Sequence, residues 1–207
     1  MKIIIATRNE DKGKELKSLL NEYGIDVQLL SDFDPDGTIS DIEETGETLQ
    51  ENAFLKAKTI FSITGIPAIA DDTGLEVDAL DCQPGVYSAR YAGDNCTYED
   101  NVNKLLFEMK GVPTKLRTAR FKTVVCYTDN EKELCKEGVV EGFISEKPSG
   151  NNGFGYDPVF CVKELNKTYA ELSDEEKNEN SHRAKAIQNF AKCFLSNKNL
   201  AFELSQN

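Results

Sequence analysis

The stretch KIIIATRNEDKGKELKSLLNEYGIDVQLL, residues 2–30, decides the fold. It begins with a short apolar run at 2–6, which predicts a buried strand. Apolar residues then recur at helical spacing, at Leu16, Leu19, Leu20 and Tyr23. Gly24 follows, a residue type that often ends a helix, and 26–30 forms a second short strand-like segment. This strand–helix–strand order predicts an α/β fold built on a sheet.

Helices and strands continue to alternate along the rest of the chain. Thr48 and Glu51 predict a capped helix that ends at Gly65 and Pro67. We expect further helices at about 97–110, from 173 and at about 182–196, and further strands at 67–70, 118–127, 134–144 and 158–162. The strand at 67–70 is expected to run into a turn at 71–74. Polar or glycine-rich loops are expected at 31–46 and 149–157.

The composition is that of an acidic globular protein. The 207 residues include 36 acidic and 24 basic side chains, a net charge of −12, and 39% are hydrophobic. A chain of this length favours one sizeable core over two independent small domains. The charge argues against binding nucleic acid through a broad basic face. A small polyanionic substrate is also disfavoured at first sight, although a local pocket is not bound by net charge.

The cysteines and the apolar segments indicate the compartment. No two of the cysteines form a C-x-x-C pair, and they are scattered over Cys82, Cys96, Cys126, Cys135, Cys161 and Cys193. With one histidine in the chain, an ordinary zinc site is not expected, and reduced thiols are favoured. No segment resembles a signal peptide or reaches the length of a membrane span. We therefore expect a cytoplasmic protein that binds neither membrane nor nucleic acid.

The first of four candidate sites lies at 6–12, between the first strand and the first helix. A helix N-terminus offers N–H groups and the positive end of the helix dipole, which suit a phosphate. Thr7 and Asn9 can donate hydrogen bonds, and Lys12 adds a positive charge. The alternative is an ordinary helix cap with solvated charges, and this cluster alone favours that alternative.

Two acidic clusters could bind a divalent cation. Glu43 and Glu44 end the polar loop, and Asp71 and Asp72 follow a short apolar strand. Carboxylate oxygens are the ligands that Mg²⁺ prefers, and a carboxylate near a phosphate can orient a water. The alternatives are a solvated acidic loop for the first pair and a turn that satisfies backbone N–H groups for the second.

The fourth candidate site is the glycine-rich loop 149–158, which carries Phe154 and Tyr156 as stacking faces. Downstream, Lys177, His182 and Arg183 could donate hydrogen bonds to a base carbonyl or a phosphate. The alternatives are a mobile surface loop and a histidine that is hydrogen-bonded locally. Together the four clusters favour nucleoside phosphate chemistry.

These motifs, in this order, resemble the inosine/xanthosine triphosphate pyrophosphatases, a family that removes non-standard purine nucleotides. They are ATRN at 6–9 with Lys12, EETG at 43–46, ENA at 51–53 with KA at 56–57, ADDTGL at 70–75, PGVYSARY at 84–91, GFGYDP at 153–158, AEL at 170–172 and SHR at 181–183. The resemblance covers nearly the whole chain. It departs from the family at Thr73, where many members have serine, and at Arg8, where glycine is common.

The resemblance implies the reaction and the architecture. Water would attack the α-phosphorus of ITP, dITP or XTP and release the nucleoside monophosphate and pyrophosphate. It also implies Mg²⁺ as cofactor, a homodimer, and one catalytic domain spanning 1–207. The implied fold is an elongated mixed-sheet α/β fold with two lobes around a central nucleotide-binding cleft.

The resemblance also implies roles for single residues. Asp72 would be the general base and a metal ligand. Glu43 would be the second metal ligand, with Glu44 as its rival. The triphosphate would contact Thr7, Arg8, Asn9, Glu10, Asp11, Lys12 and Lys56. The base pocket would comprise Phe154, Gly155, Tyr156, Asp157, Lys177, His182 and Arg183, with Thr73 also at the substrate.

Two other functions remain open at this point. The chain could be a related pyrophosphatase that acts on modified pyrimidine nucleotides. It could also be a nucleotide-binding protein that has kept the pocket without turnover, although the complete acidic set argues against that.

Overall fold

The computed structural model describes residues 2–204, with side chains described up to residue 196. The helices are α1 Glu10–Glu22, α2 Leu30–Phe33, α3 Leu49–Thr64, α4 Tyr98–Glu108, α5 Asp174–Asn180 and α6 His182–Leu204. The strands are β1 Ile3–Ile5, β2 Val27–Leu29, β3 Ala68–Val77, β4 Gln83–Gly85, β5 Thr118–Thr128, β6 Glu133–Ile144, β7 Phe160–Val162 and β8 Lys167–Thr168. In the described range these strands form one sheet in the order β2-β1-β3-β5-β6-β7-β8, and β4 pairs with β3.

The sheet is mixed, which confirms the predicted fold class. Strands β1 and β2 pair in parallel, with Ile3 opposite Val27, and β1 pairs in parallel with β3. By contrast, β3 pairs antiparallel with β4, and β6 pairs antiparallel with β7. Helices α1 and α3 each connect parallel strands, as crossover connections do. The expected two lobes around a cleft stay a prediction.

Within the described range the chain divides into two compact units. The first comprises 2–72, 124–138 and 183–204, and the second comprises 73–123 and 139–182. Each unit has buried apolar clusters of its own. In the first, the predicted face of α1 packs with β1 and α6, through Leu16, Leu19, Leu20, Ile3, Ile5, Ile187 and Phe190. In the second, α4 packs with β5 and β7, through Leu105, Met109, Phe121, Phe160 and Val162.

The helix boundaries follow from local chemistry that the sequence displays. The Thr48 hydroxyl accepts from the backbone N–H of Glu51, whose side chain accepts from the backbone of Thr48. This is the predicted capping box, and the helix ends at Gly65 with φ at 67°. A further capping box at Ser173 and Glu176 begins α5. These predictions are confirmed.

The predicted turn at 71–74 is wrong, because β3 continues through these residues to Val77. The aspartates can remain in a buried strand because each lies beside cationic side chains of the first unit. Helix α2 occupies the beginning of the predicted loop and was not predicted. Across the described residues, no helix has both the length and the apolar character needed to cross a bilayer.

The expectation of reduced thiols is wrong for two cysteines, since Cys126 and Cys135 form a disulfide. The cause is the hairpin between β5 and β6, in which the N–H of Asp129 donates to the carbonyl of Lys132. Cys126 and Cys135 lie equally far on either side of that pair, so they face each other with Cα atoms 4.1 Å apart. The cysteines with free thiols are Cys82, Cys96, Cys161 and Cys193.

Candidate active site

The N-terminus of α1 is built by its own cap. The Asn9 Oδ1 accepts from the backbone N–H of Lys12 at 3.0 Å, and the Thr7 hydroxyl accepts from the N–H of Asn9 at 3.2 Å. Glu10 and Asp11 lie in the first turn, where acidic residues complement the helix dipole. The local cap that the sequence analysis named as the alternative is thus present, and it leaves a helix N-terminus of the kind that binds phosphate.

Arg8 holds the following loop. Its guanidinium donates to the backbone carbonyl oxygens of Asp34 and Ile39, at 3.1 and 3.0 Å, and pairs with the Asp34 carboxylate. That carboxylate also accepts from Thr38. The Thr38 hydroxyl, the N–H of Ile39 and Arg8 hold the pKa of Asp34 well below its usual range. In this structure Arg8 therefore positions the loop 34–39.

Asp71 and Asp72 have different partners because successive side chains of a strand point to opposite faces. Asp71 accepts from the Arg183 guanidinium at 3.1 and 3.2 Å, and its carboxylate lies 3.9 Å from the Lys12 ammonium. Burial would raise the pKa of Asp71, but Lys12 and Arg183 outweigh it and hold that pKa low. Asp71 is therefore a fixed anion.

Asp72 lies in a polar cluster with α3. It accepts from Lys56 Nζ and from Asn52 Nδ2, each at 3.3 Å. Burial raises the pKa of the Asp72 carboxyl, with Lys56 opposing the rise and the carboxylates of Glu44 and Asp71 adding to it. A buried carboxyl with a raised pKa is the kind of group that accepts protons in active sites.

Lys56 joins the two acidic clusters that the sequence analysis found. Its ammonium lies 2.5 Å from Glu44 Oε1 and 3.3 Å from Asp72 Oδ1. Burial lowers the pKa of Lys56, but Asp72, Glu44 and Asp71 raise it by more. Glu43 is exposed, whereas Glu44 is half-buried beside the lysine. The structure thus brings Glu44, the rival candidate, to Asp72.

The loop before α3 is held by the same cluster. The backbone N–H of Gly46 donates to the side-chain Oδ1 of Asn52 at 2.7 Å, while the side-chain Nδ2 of Asn52 donates to the Asp72 carboxylate. A Cβ at position 46 would lie 2.7 Å from Asn52 Oδ1, so only glycine allows this approach. No role was predicted for Asn52, although it lies in the ENA motif at 51–53 that contributes to the family resemblance.

The carboxylates fit a hard divalent cation in kind and in charge. Asp72 and Glu44 already converge on one cation, the Lys56 ammonium, and both offer the oxygen ligands that Mg²⁺ prefers. Among the described residues no group of three or more acidic, cysteine or histidine side chains is arranged to hold a metal. Any metal here would need ligands beyond these two, such as phosphate oxygens and water.

Arg183 lies in the first unit and is fully buried at 1% exposure. Its guanidinium pairs with Glu15 of α1 as well as with Asp71. Burial lowers its pKa, but the two carboxylates reverse the effect and raise it. Arg183 was predicted to lie in a base pocket, and in this structure it neutralises the buried carboxylate of Asp71 and the half-buried carboxylate of Glu15.

The glycine-rich loop of the second unit is organised around Asp157. Its Oδ2 accepts from the N–H of Phe154 at 2.9 Å and from Lys177 Nζ at 2.7 Å. Gly153 has a positive φ of 72°, and a Cβ there would lie 2.1 Å from the Asp157 carboxylate. The loop is therefore anchored, in contrast to the mobile loop considered as the alternative.

Aromatic rings and a cation surround this loop. The Lys177 ammonium lies 4.8 Å from the centroid of the Phe154 ring, which also contacts the Tyr98 ring at 5.8 Å. Tyr156 is buried and donates from its hydroxyl to the carbonyl of Ser88 at 2.9 Å. Phe154, which is half-buried, is therefore the better stacking face, and Tyr156 anchors the loop.

His182 begins α6, and its ring is hydrogen-bonded to a residue 59 positions earlier in the chain. Its Nδ1 lies 2.6 Å from the hydroxyl of Thr123, which is itself 2.6 Å from the hydroxyl of Thr73. Sequence reasoning missed Thr123. The available signal was a threonine at a strand position that alternates in phase with buried Phe121 and Val125.

Nearly the whole chain is similar to known proteins. A model of the Ham1 family matches residues 3–193. A protein of Thermoanaerobacter sp. (strain X514) named dITP/XTP pyrophosphatase is 50% identical over 195 residues, 94% of this chain and 97% of that protein. A protein of the same name from Bacillus subtilis (strain 168) is 46% identical over 190 residues, 91% of this chain and 94% of that protein.

Solved structures are similar over the same length. The Ham1 protein of Staphylococcus aureus matches with a TM-score of 0.82 at 40% identity, covering 96% of this chain and 100% of that one. A HAM1 protein from Coxiella burnetii matches with a TM-score of 0.83 at 39% identity, covering 95% and 99%.

Proposed function

The chain belongs to the Ham1 family, and from that premise we propose that it hydrolyses the non-standard purine nucleotides dITP, ITP and XTP to the monophosphate and pyrophosphate. Relatives named dITP/XTP pyrophosphatase, about half identical over nearly the whole chain, support this substrate class. The observation that carries the chemistry is the buried Asp72 carboxyl beside Lys56, Glu44 and Asn52.

Asp72 is proposed as the general base that orients and deprotonates the attacking water. Its raised pKa brings its proton affinity closer to that of a working base than an exposed aspartate would have. Asn52 and Lys56 hold both of its oxygens in place. Mg²⁺, held by Asp72 and Glu44 with Glu43 as the alternative ligand, would neutralise phosphate charge and acidify a bound water.

The other predicted site residues are proposed to act in two groups, one in each unit. In the first unit, residues 7–12 and Lys56 would bind the triphosphate through helix N–H groups and ammonium groups. In the second unit, Thr73, residues 154–157, Lys177 and His182 would bind the base. Arg183 would neutralise Asp71, the neighbour of Asp72, and would also contact the purine base. The family model crosses both units, which supports one catalytic domain.

A homodimer in the cytoplasm is proposed on the motif resemblance alone. Size-exclusion chromatography with light scattering measures the mass in solution, and a monomer at micromolar concentration would contradict the dimer.

A substrate panel tests the proposed function. With Mg²⁺ present, we expect dITP, ITP and XTP to yield the monophosphate and pyrophosphate, detected by anion-exchange chromatography. Preference for modified pyrimidine nucleotides would favour the related pyrophosphatase function. Release of orthophosphate and a diphosphate would contradict attack at the α-phosphorus. Binding of ITP without any turnover would favour a nucleotide-binding protein.

The variant Asp72→Asn tests the proposed base. The amide keeps the size of the side chain but cannot accept the proton, so we expect kcat to fall by a factor of about 100 or more. Nucleotide binding, measured by calorimetry, should persist. A variant with unchanged kcat would remove Asp72 from this role.

A further inference from the structure

The side chain of Arg8 links two segments of the first unit. Arg8 follows Thr7 in the turn that precedes α1, and both terminal nitrogens of its guanidinium donate into the loop 34–39. The acceptors are the carboxylate of Asp34, the backbone carbonyl of Asp34 at 3.1 Å and the backbone carbonyl of Ile39 at 3.0 Å. Acceptors in several fixed directions suit the planar guanidinium fork. The turn proposed to bind the triphosphate is therefore fastened to this loop.

Asp34 holds the loop together and is itself buried, with 6% of its surface exposed. Its carboxylate accepts from the backbone N–H groups of Thr38 and Ile39, each at 2.9 Å, and from the Thr38 hydroxyl at 2.6 Å. These hydrogen bonds close the loop on itself, and Arg8 supplies the positive charge that a buried carboxylate needs. Removing the guanidinium would leave a buried negative charge among neutral donors, which would weaken the whole loop.

The same loop leads directly into the acidic segment that carries Glu44. Ile39 and Ile42 are partly buried against an apolar cluster to which β1, β3 and α3 contribute. Further on, Glu44 pairs with Lys56 of α3. The short segment from Ile39 to Glu44 is thus fastened at both ends, by Arg8 at the first residue and by Lys56 at the last. A short segment with fixed ends has little conformational freedom left to lose.

We propose that Arg8 is a positioning residue, which fixes the acidic segment relative to the turn before α1 and so places Glu44 for the metal. Its side chain then acts through Asp34 and Ile39, in place of the triphosphate contact that the motif resemblance implies for it. Ordering the segment beforehand removes an entropy cost that metal binding would otherwise have to meet. The placement of the segment stands on the contacts of this chain, whereas its service to the metal rests on the proposed function.

Hydrogen exchange of the nucleotide-free chain, followed by nuclear magnetic resonance, tests the placement without any activity. The variant Arg8→Gln removes the positive charge and the guanidinium fork. We expect the amides of Thr38, Ile39 and Gly46 to exchange about tenfold faster or more, as loss of a hydrogen bond between charged groups predicts. The amide of Gly46 reports on the acidic segment, because it donates to the side chain of Asn52. Unchanged exchange at Gly46 would overturn the link between Arg8 and that segment.

Lys17→Gln is the matched control variant. Lys17 of α1 pairs with Asp32 of α2 at 3.6 Å, and both side chains are exposed, so we expect unchanged exchange at the three amides. Within Arg8→Gln itself, the amide of Gly65 at the end of α3 reports on the stability of the unit as a whole. An equal rise at Gly65, or the same rise in Lys17→Gln, would contradict a specific role of Arg8.

Activity separates positioning from contact with the substrate. If Arg8 places Glu44, the variant Arg8→Gln raises the Mg²⁺ concentration for half-maximal activity about tenfold and leaves KM for dITP at saturating Mg²⁺ unchanged. A direct contact between the guanidinium and the triphosphate would instead raise KM at saturating Mg²⁺. That rise, or an unchanged Mg²⁺ requirement, would overturn the proposal.

A double-mutant cycle tests whether Arg8 acts through Asp34. We expect Asp34→Asn to raise the Mg²⁺ requirement as Arg8→Gln does, and the double variant to be no worse than either, since both changes break the same contact. Additive effects would assign Arg8 a separate partner and overturn the proposal. If Asp34→Asn does not fold, the exchange rates of Arg8→Gln decide. Absence of any dITP turnover by the wild-type protein would contradict the proposed function, and the exchange measurement would still stand.

Discussion

At the scale of a single residue, Lys56 neutralises the acidic cluster formed by Glu44 and Asp72. Its ammonium lies between Glu44 and Asp72, and without it two carboxylates would share a poorly hydrated space. A cation is therefore needed at this point at all times. When Mg²⁺ and a triphosphate bind, we expect Lys56 to turn from the carboxylates towards the phosphates, since Mg²⁺ would then neutralise Glu44 and Asp72.

The choice between Glu43 and Glu44 as the proposed metal ligand can be tested by substituting each residue in turn. Glu44→Gln removes a half-buried carboxylate that already shares a cation with Asp72. We expect the Mg²⁺ concentration for half-maximal activity to rise about tenfold or more, as losses near metal sites do. Titration of activity with MgCl₂ measures this value.

Glu43→Gln is the matched control for that titration. Glu43 is exposed, and the same change of charge there should shift the Mg²⁺ requirement little. A larger shift in Glu43→Gln than in Glu44→Gln would assign the ligand to Glu43, as the motif resemblance first implied.

At the scale of elements, Arg117 fastens α4 to the end of β6. Its guanidinium donates to the carbonyl oxygens of Ile144, Met109 and Ser145, at 2.7, 2.8 and 2.8 Å. Burial lowers the pKa of Arg117, with the charge of Glu146 opposing that effect. The three carbonyl oxygens accept hydrogen bonds from the guanidinium and take the place of a carboxylate partner. We call this arrangement the Arg117 clamp.

The variant Arg117→Lys tests this clamp. A lysine has one nitrogen and cannot reach three carbonyls in different directions, and each buried carbonyl left unsatisfied costs about 1–3 kcal/mol. We expect the free energy of unfolding to fall by about 2 kcal/mol or more, measured by urea denaturation. Arg120→Lys is the control, since its ion pairs are more exposed and should lose less than about 1 kcal/mol. Equal losses would contradict the clamp.

At the scale of the whole molecule, the net charge is −12, but the charged side chains are unevenly distributed. Carboxylates are paired with the buried cations Lys56, Lys177 and Arg183, so the positive charge is local although the chain is acidic. Net charge thus argues against a broad nucleic-acid surface and says little about a pocket for a small anion. The same uneven charge distribution explains how an acidic chain can belong to a family of triphosphate hydrolases.

The sequence by itself determined most of the helices and strands, and it determined the family. Capping boxes, helical spacing and glycine ends depend on neighbours within a few residues, so Thr48, Glu51 and Gly65 could be interpreted correctly. The family motifs were equally visible, because they are runs of adjacent residues. Local chemistry of this kind does not depend on how distant segments pack.

Only the tertiary structure decided which distant side chains form ion pairs and hydrogen bonds with each other. The sequence does not show that β3 continues through Asp71 and Asp72, because its buried charges are neutralised by Lys12, Lys56 and Arg183 from distant segments. Thr123 is inconspicuous in the sequence, and only the fold brings its hydroxyl to the ring of His182, 59 residues away. The physical reason is the same in each case: hydrogen bonds and ion pairs act over a few ångströms of space, and separation along the chain does not limit them.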